Sequence, residues 1–409
     1  MIIPIFTKNI ESKHRTKIYN YAGEIPVLDW NSVVQNKNIY ASIPYLAAME
    51  KSLGSEFGFR YLLFYNENLI PYAAAIIQCL NFIDKGLSDK QEVCRIRNAI
   101  KRKLLTTKGI RLMTCGTPFA SGENGFIHTD EISPKEAYEH LAIALLDLQR
   151  EENTSTHSKG SRKASLNASA PVILFKELLP SSFSGGNSLL ENGFSEFEID
   201  VNMIMKIPSN WNNLNDYLNA MVTKFRTKTK TALRKSEYIT IQNLTLEEIE
   251  FYKNNLESLY LQVLNKSQFQ FGALNSESFV NLKRNLGEDF IVKGYFLGNT
   301  MVGFSSSFIF NSILDANYVG INYEFNQEYA IYQRMLYDYV ELAIEKKCSE
   351  LRFGRTAEEI KSSVGAVPVP MKLFVRHKNP IANRILKAIV STIKPSQYEL
   401  RKPFKQIDK

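Results

Sequence analysis

Between Lys224 and Lys235 the chain holds six basic residues, Lys224, Arg226, Lys228, Lys230, Arg234 and Lys235, and no acid. On a helix, Lys224, Lys228 and Lys235 fall on one flank of an apolar stripe made by Leu214, Leu218, Met221, Val222, Phe225 and Leu233. Arg226, Lys230 and Arg234 fall on the other. Such rows either form a solvated face or hold phosphates, whether of coenzyme A, a nucleotide-linked substrate or tRNA. Uncompensated like charge along one helix costs stability, which tilts the reading toward a ligand. A second group sits in a glycine-punctuated loop, where Gly116, Gly122 and Gly125 surround Glu123 and precede His128. Glycines there serve a turn or let the backbone approach a ligand, and Glu123 and His128 are then candidate bases or substrate contacts. Arg334 is a further candidate phosphate contact, with Asp338 four residues on as a competing ion-pair partner. Metal chemistry is not expected. Cys79, Cys94, Cys115 and Cys348 show no CxxC spacing, and His14, His140, His157 and His377 no metal or triad spacing.

The elements that position these groups belong to a folded chain of 409 residues, 44% apolar and 22% charged, large enough for two domains. Its formal charge of +8 is matched by the excess in residues 371–409 alone, so the rest is neutral overall. That argues against a nucleic-acid enzyme with charge spread over its core. Within the basic end, Ile381, Ile385, Leu386, Ile389 and Ile393 recur at helical spacing among Arg384, Lys387 and Lys394. Residues 381–394 thus read as a basic amphipathic helix that either packs on the protein or makes a peripheral contact with anionic lipid. The richest apolar stretch, Ile70 to Leu80, is too short to span a bilayer, and Met1 to Lys8 lack the pattern of a secretory signal. The expected location is the cytoplasm, with the inner face of the membrane as the place of any lipid contact.

The pattern Phe57–Tyr65, Asn66-Glu-Asn68, Leu69–Ile77 reads as a β-hairpin, and Phe290–Phe296, Leu297-Gly-Asn299, Thr300–Ile309 repeats it 232 residues later. Each hairpin precedes a strand, a helix and a strand: Ile110–Thr114, Pro134–Glu152 and Val172–Phe175 in the first half, Leu314–Tyr323, Tyr329–Lys347 and Glu350–Phe353 in the second. Asn213 with Asp216 marks a helix start, from which the apolar stripe runs on to Leu233. The polar stretch Glu151–Ala170 is expected to be a loop. The fold class is therefore α/β with mixed sheets. The expected division is residues 1–200, residues 201–378, and a basic tail at 379–409.

Two segments carry a family resemblance: Asn215-Asp-Tyr-Leu-Asn-Ala-Met-Val-Thr-Lys-Phe-Arg-Thr-Lys-Thr-Lys-Thr-Ala-Leu-Arg-Lys235, and Tyr329-Ala-Ile-Tyr-Gln-Arg-Met-Leu336 with Leu351-Arg-Phe-Gly-Arg-Thr-Ala-Glu-Glu-Ile-Lys361-Ser-Ser-Val-Gly365. They resemble the FemAB-like branch of the GNAT acyltransferase superfamily. Thr114–Phe126 and Ile173–Glu177 resemble first-half segments of the same proteins. The resemblance implies two tandem GNAT-like domains and transfer of an acyl group to an amine of a cell-envelope precursor or lipid, from an acyl-CoA or acyl-carrier thioester used as co-substrate and not as a tightly bound cofactor. Fem-type relatives instead take an aminoacyl group from tRNA for a peptidoglycan precursor, and a non-catalytic binding module is the remaining alternative. Single-domain GNAT enzymes hold the acetyl-CoA pyrophosphate on a glycine-containing loop at a helix N-terminus; the corresponding Phe325–Tyr332 has no glycine.

Acyl transfer needs a neutral amine, a group to take its proton, and donors for the oxyanion. By resemblance, Arg355 and Lys361 are the leading candidates, as cations that hold a phosphate or stabilise developing charge. Parted strands would expose main-chain N–H groups along 315–323, with Tyr318, Asn322 and Tyr323 near the exit to orient the amine or carry its proton.

Overall fold

The computed structural model describes residues 15–82, 110–154, 170–266, 272–393, 395 and 397–405. Met1–Lys8, His14, Cys94, His157, most of the expected 151–170 loop and the last residue of the expected 381–394 helix lie outside them. Along the chain run β1 (Arg15–Tyr19), α1 (Val27–Val34), α2 (Ile43–Leu53), β2 (Gly58–Tyr65), β3 (Pro71–Phe82), β4 (Ile110–Cys115), β5 (Phe126–His128), α3 (Pro134–Thr154), β6 (Val172–Leu178), α4 (Phe183–Glu191) and β7 (Ser195–Phe197). There follow β8 (Val201–Lys206), α5 (Leu214–Ala220), α6 (Thr223–Lys235), β9 (Thr240–Asn243), α7 (Leu246–Leu264), α8 (Ser276–Leu286), β10 (Phe290–Leu297), β11 (Thr300–Phe310) and β12 (Ile313–Ile321). The chain closes with α9 (Tyr323–Tyr329), α10 (Ile331–Glu345), β13 (Glu350–Gly354), α11 (Glu358–Ser363), β14 (Val367–Pro370), β15 (Lys372–His377) and α12 (Pro380–Val390).

Two compact units emerge: Met1–Glu198 with Lys372–Ile393, and Ile199–Met371 with Lys394–Lys409. The first sheet has the order β1-β2-β3-β4-β6-β15-β7, with β5 also on β3; the second has β9-β10-β11-β12-β13-β8-β14. These are the same arrangement. Each has an edge strand, the repeated hairpin, a fourth strand, a parallel neighbour, an inserted strand and a final edge. β4 and β6 are parallel, as are β12 and β13. The inserted strand is β15 in the first unit and β8 in the second, so each sheet takes one strand from a chain segment remote from the hairpin it shares.

This topology corrects the expected borders. Lys372–His377 pairs with β6 and β7 in the first unit, although 201–378 was read as one domain. Burial of Leu373, Phe374 and Val375 fixes it there. Residues 379–409 are likewise no separate tail, because α12 packs on β15 and β7 while residues 397–405 belong to the second unit. The single helix expected from Asn213 also breaks. Asn213 and Asp216 form the capping box, but Met221 is extended and bridges Phe404, Val222 N–H donates to Pro403 O at 2.8 Å, and Lys405 N–H donates to Ala220 O at 3.0 Å. The returning chain end satisfies the groups a continuous helix would have used, so α5 ends and α6 starts anew.

Candidate active site

The second unit's sheet opens in the middle. β12 pairs with β13 only at Ile313–Glu350, Leu314–Leu351 and Asp315–Arg352, after which β12 runs six residues further to Ile321 with no strand on that side among the described residues. On its other side β12 stays paired with β11, across a bulge where Ser306 meets both Asn317 and Tyr318. The Ser306 hydroxyl accepts from Tyr318 N–H and donates to Tyr318 C=O, 3.0 Å each, and Tyr339 of α10 donates to Ser306 O at 2.9 Å. A bulge adds local twist and re-aims the strand, and here it occurs where β12 leaves β13. In the first unit β4 simply stops at Cys115, four pairs along β6.

Past the end of β13 the backbone is strained. Gly354, Thr356 and Ala357 all have positive φ (72°, 63° and 53°), which glycine adopts freely; at Thr356 and Ala357 it costs on the order of 1–3 kcal/mol each and persists where the surroundings hold it. Lys361, one turn into α11 and 5% exposed, reaches back and donates to Arg355 O at 2.5 Å and Gly354 O at 3.4 Å. Burial pushes its amine down to about 7, Arg355 pushes the same way, and the carboxylates of Glu358 and Asp200 oppose the fall. A neutral lysine has two N–H groups and one lone pair. With both N–H groups directed at the two carbonyls, the lone pair remains to accept a proton.

Lys361 has Glu358, Arg355 and Asp200 as its charged neighbours, with β8 and α10 flanking them. Asp200, just before β8, meets Arg355 at 3.9 Å. Asn202 on β8 is buried with its Oδ1 unpaired among the described residues, beside Met203, which pairs with Gly354. Glu358 is buried at the start of α11. Tyr332 of α10 is raised by burial and by the nearby Tyr323 and Glu358, which links the exit of β12 to the Lys361 end of β13. Sequence reasoning missed Asp200, Asn202, Tyr332 and Glu358. Glu358 stood inside the quoted motif, whereas nothing local marks the other three: β8 insertion brings Asp200 to Arg355, helix packing brings Tyr332 to Glu358, and Asn202 lies on β8 itself.

The α10 N-terminus, where an anion could be met by free N–H groups, already has one of them partnered. Ala330 caps it in the left-handed region, and Tyr332 N–H donates to Asn326 Oδ1 of α9 at 2.9 Å. α6 lies along α10 in the opposite sense, for Ser236 receives Arg334 while Thr229 hydrogen-bonds Tyr337. Its Arg234–Lys235 end therefore flanks the start of α10, and the Lys224–Lys228 end lies toward the close of α10. Lys224, Arg226, Lys228 and Lys230 form no ion pair with a described residue. The helix buries only Thr229 and Ala232.

Other expected site residues lie elsewhere. Tyr318 points its ring into an aromatic core with Tyr260, Phe279 and Phe308, and both its main-chain groups are taken by Ser306 of β11, so neither ring nor amide faces the parting. Asn322 caps α9 by accepting from Glu324 N–H at 3.0 Å. Tyr323 is covered by the Lys266 ammonium 3.1 Å above its ring. Arg334 donates to Asp338 at 2.7 Å, and Asp338 accepts from buried Tyr295 at 2.8 Å, a network that ties α10 to the hairpin. Glu123 and His128 belong to the first unit. Glu123 accepts from Tyr138 at 2.6 Å and from Leu179 N–H at 3.3 Å, and burial raises its carboxyl. His128 Nδ1 lies 3.0 Å from Thr129 O. Below Glu123, Lys176 and Glu177 form a fully buried ion pair at 2.8 Å, and Glu177 accepts from Gly122 N–H at 2.6 Å, so the glycine loop is folded over an internal charge pair. Among the described residues no cluster of His, Cys, Asp and Glu could hold a metal, and no helix is long and apolar enough to cross a membrane.

No protein-family model and no curated protein matches this sequence. Solved structures do match its fold. FemX superposes with a TM-score of 0.52 at 11% identity, over 89% of this chain and 98% of its own. A tandem GNAT protein from the clavulanic acid biosynthesis pathway superposes with a TM-score of 0.50 at 8% identity, over 90% and 99%. The chain has the tandem GNAT, FemAB-like fold, two mixed α/β sheets of the same topology.

Proposed function

We propose that the protein is an N-acyltransferase whose working site is the parting of β12 from β13 in the second unit. The observation that carries this is the ladder's end at Asp315–Arg352, with a buried, near-neutral Lys361 held at the β13 side of the gap. An acyl carbonyl entering the gap would meet main-chain groups of β12 past Asp315, as oxyanion stabilisation requires. The acceptor amine would lose its proton to the Lys361 lone pair as the C–N bond forms, and the Lys361 ammonium would return that proton to the donor's sulfur or oxygen as the C–S or C–O bond breaks. Arg355, steered by Asp200, is assigned to an anionic part of a substrate, and Glu358 and Tyr332 to setting the field at Lys361. Both GNAT-fold neighbours support the fold on which this rests and leave donor and acceptor open.

The acceptor is read as an amine of an envelope precursor or lipid, and the donor as an acyl thioester. A second donor class is favoured by one feature. One N-terminal N–H of α10 is engaged by Asn326, while α6 spreads cations from Lys224 to Lys235 over about 17 Å, longer than a diphosphate needs and suited to a polyanionic carrier such as aminoacyl-tRNA. The test is a screen of acyl-CoA, acyl-carrier and aminoacyl-tRNA donors against amine acceptors, with Lys361→Met alongside and thermal melts of both proteins. Donor-dependent amide formation lost in folded Lys361→Met supports the reading. No transfer with any donor, despite ligand binding, would leave the chain a binding module.

A further inference from the structure

The basic amphipathic helix α12 takes no part in the site described above. Its fixed side is well defined: Val390 is buried, Asn383 donates to Gly193 O at 2.9 Å, and Asn383 Oδ1 accepts from His377 N–H at 2.8 Å. The helix is thus pinned to the first unit by its Asn383 side. Asn379 caps it by accepting from Ile381 and Ala382 N–H, 3.0 Å each, so its N-terminus is satisfied internally.

A row of isoleucines is left at the rim. Ile381, Ile385 and Ile389 follow one another at i,i+4, and Ile393 continues the row just past the helix; Ile381 is 74% exposed, Ile393 36%, and the two between are half-buried. Lys378, Arg384 and Lys387 stand exposed nearby, and Arg384 and Lys387 form no ion pair with a described residue. From Met371 to Tyr398 the chain has no acid and six Lys or Arg. The row thus presents continuous apolar surface, most exposed at Ile381, flanked by cations. Nucleic acid would satisfy the cations but not the isoleucines, and an ordinary apolar protein face would satisfy the reverse. An anionic bilayer surface satisfies both, with headgroup charge over the cations and the acyl boundary beneath the isoleucines.

We infer that α12 docks the protein on membranes containing anionic lipid, through Ile381 and its row together with Arg384 and Lys387. The inference is independent of the acyl-transfer reading, since the test needs no substrate. Full-length protein is sedimented with vesicles of phosphatidylcholine alone, and with vesicles of phosphatidylcholine plus phosphatidylglycerol. The expected result is binding to the anionic vesicles only, weakened in about 1 M salt, where charges are screened beyond roughly 3 Å. Arg384→Gln and Lys387→Gln should each weaken it roughly fivefold. Ile381→Ser should weaken it without changing the salt dependence, and all three variants, altered at exposed positions, should melt like the parent. Should Ile381→Ser fail to fold, the two glutamine variants and the salt series still decide. Equal binding to both vesicles, no binding, or undiminished binding by the variants overturns the inference; so does displacement by RNA with no dependence on Ile381, which would assign the surface to nucleic acid.

Discussion

Lys361 donates to the carbonyl of Arg355 at 2.5 Å, so the residue at the end of β13 and the buried amine of α11 hold each other in place across the left-handed turn at Thr356–Ala357. The strain of that turn is retained because a lysine closes it. A methionine of similar length fills the space and removes the donors, which makes Lys361→Met the substitution from which the central expectations follow.

One expectation concerns stability. The Lys361 amine is held near 7 in the folded protein by burial, against an ordinary value of 10.5, so folding disfavours its charged form. The unfolded chain keeps the proton that the folded protein has lost between those two values, and stability therefore rises with pH from about 7 toward 10.5 and is lost as pH falls to 7. From pH 7 to about pH 9 the gain is on the order of 2–3 kcal/mol. Denaturant melts of the parent and Lys361→Met across that range should diverge by this amount. Parallel curves would mean that Lys361 is solvated.

The bulge makes a separate claim. Ser306→Ala removes the hydroxyl that serves both main-chain groups of Tyr318, and should cost about 1–3 kcal/mol. Because the bulge sets the line of β12 along the gap, kcat should fall more than KM changes. An equal loss in both, or none, would detach the bulge from the chemistry.

α6 predicts a graded effect. Arg234→Gln with Lys235→Gln lies beside the start of α10 and should raise the donor KM by roughly tenfold or more with little change in kcat. Lys224→Gln with Lys228→Gln, at the other end, should matter little for a compact donor and as much for tRNA. Steady-state kinetics with each donor class reads the difference.

The returning chain end is also testable. Phe404 packs on Trp211 and Tyr217 and closes over Gly365, where φ is +113° and a Cβ would meet the Phe404 ring at 2.3 Å. Phe404→Ala should cost about 3 kcal/mol, and Gly365→Ala should destabilise through both strain and clash. Arg401 pairs with Glu359 and its N–H donates to Ser362 Oγ at 3.0 Å, so the same variants should loosen α11, seen as faster hydrogen exchange at Lys361–Ser363. Unchanged exchange would show that α11 stands without the strap.

Much of this architecture was legible before any coordinates. The hairpin repeat, the two βαβ runs and the Asn213–Asp216 cap are local patterns, written in residues a few positions apart. What escaped was non-local. Nothing near Lys372 tells that it completes the first unit's sheet, and Met221 is broken out of its helix by Phe404, far along the chain. The candidate site follows the same rule: Arg355 and Lys361 stand in one motif, whereas Asp200 and Tyr332 come near it only through strand insertion and helix packing. Tyr318 and Arg334 have types that suit chemistry, and the fold sets them in an aromatic cluster and an Asp338 pair that no local pattern announces.

The most direct measurement is the pH dependence of kcat/KM for amide formation, with whichever donor and acceptor turn over, for the parent and for folded Lys361→Met. The account predicts a rising limb at about pH 7 in the parent, and in the variant a loss of at least about 100-fold with that limb gone. A variant that keeps both the rate and the limb would contradict it.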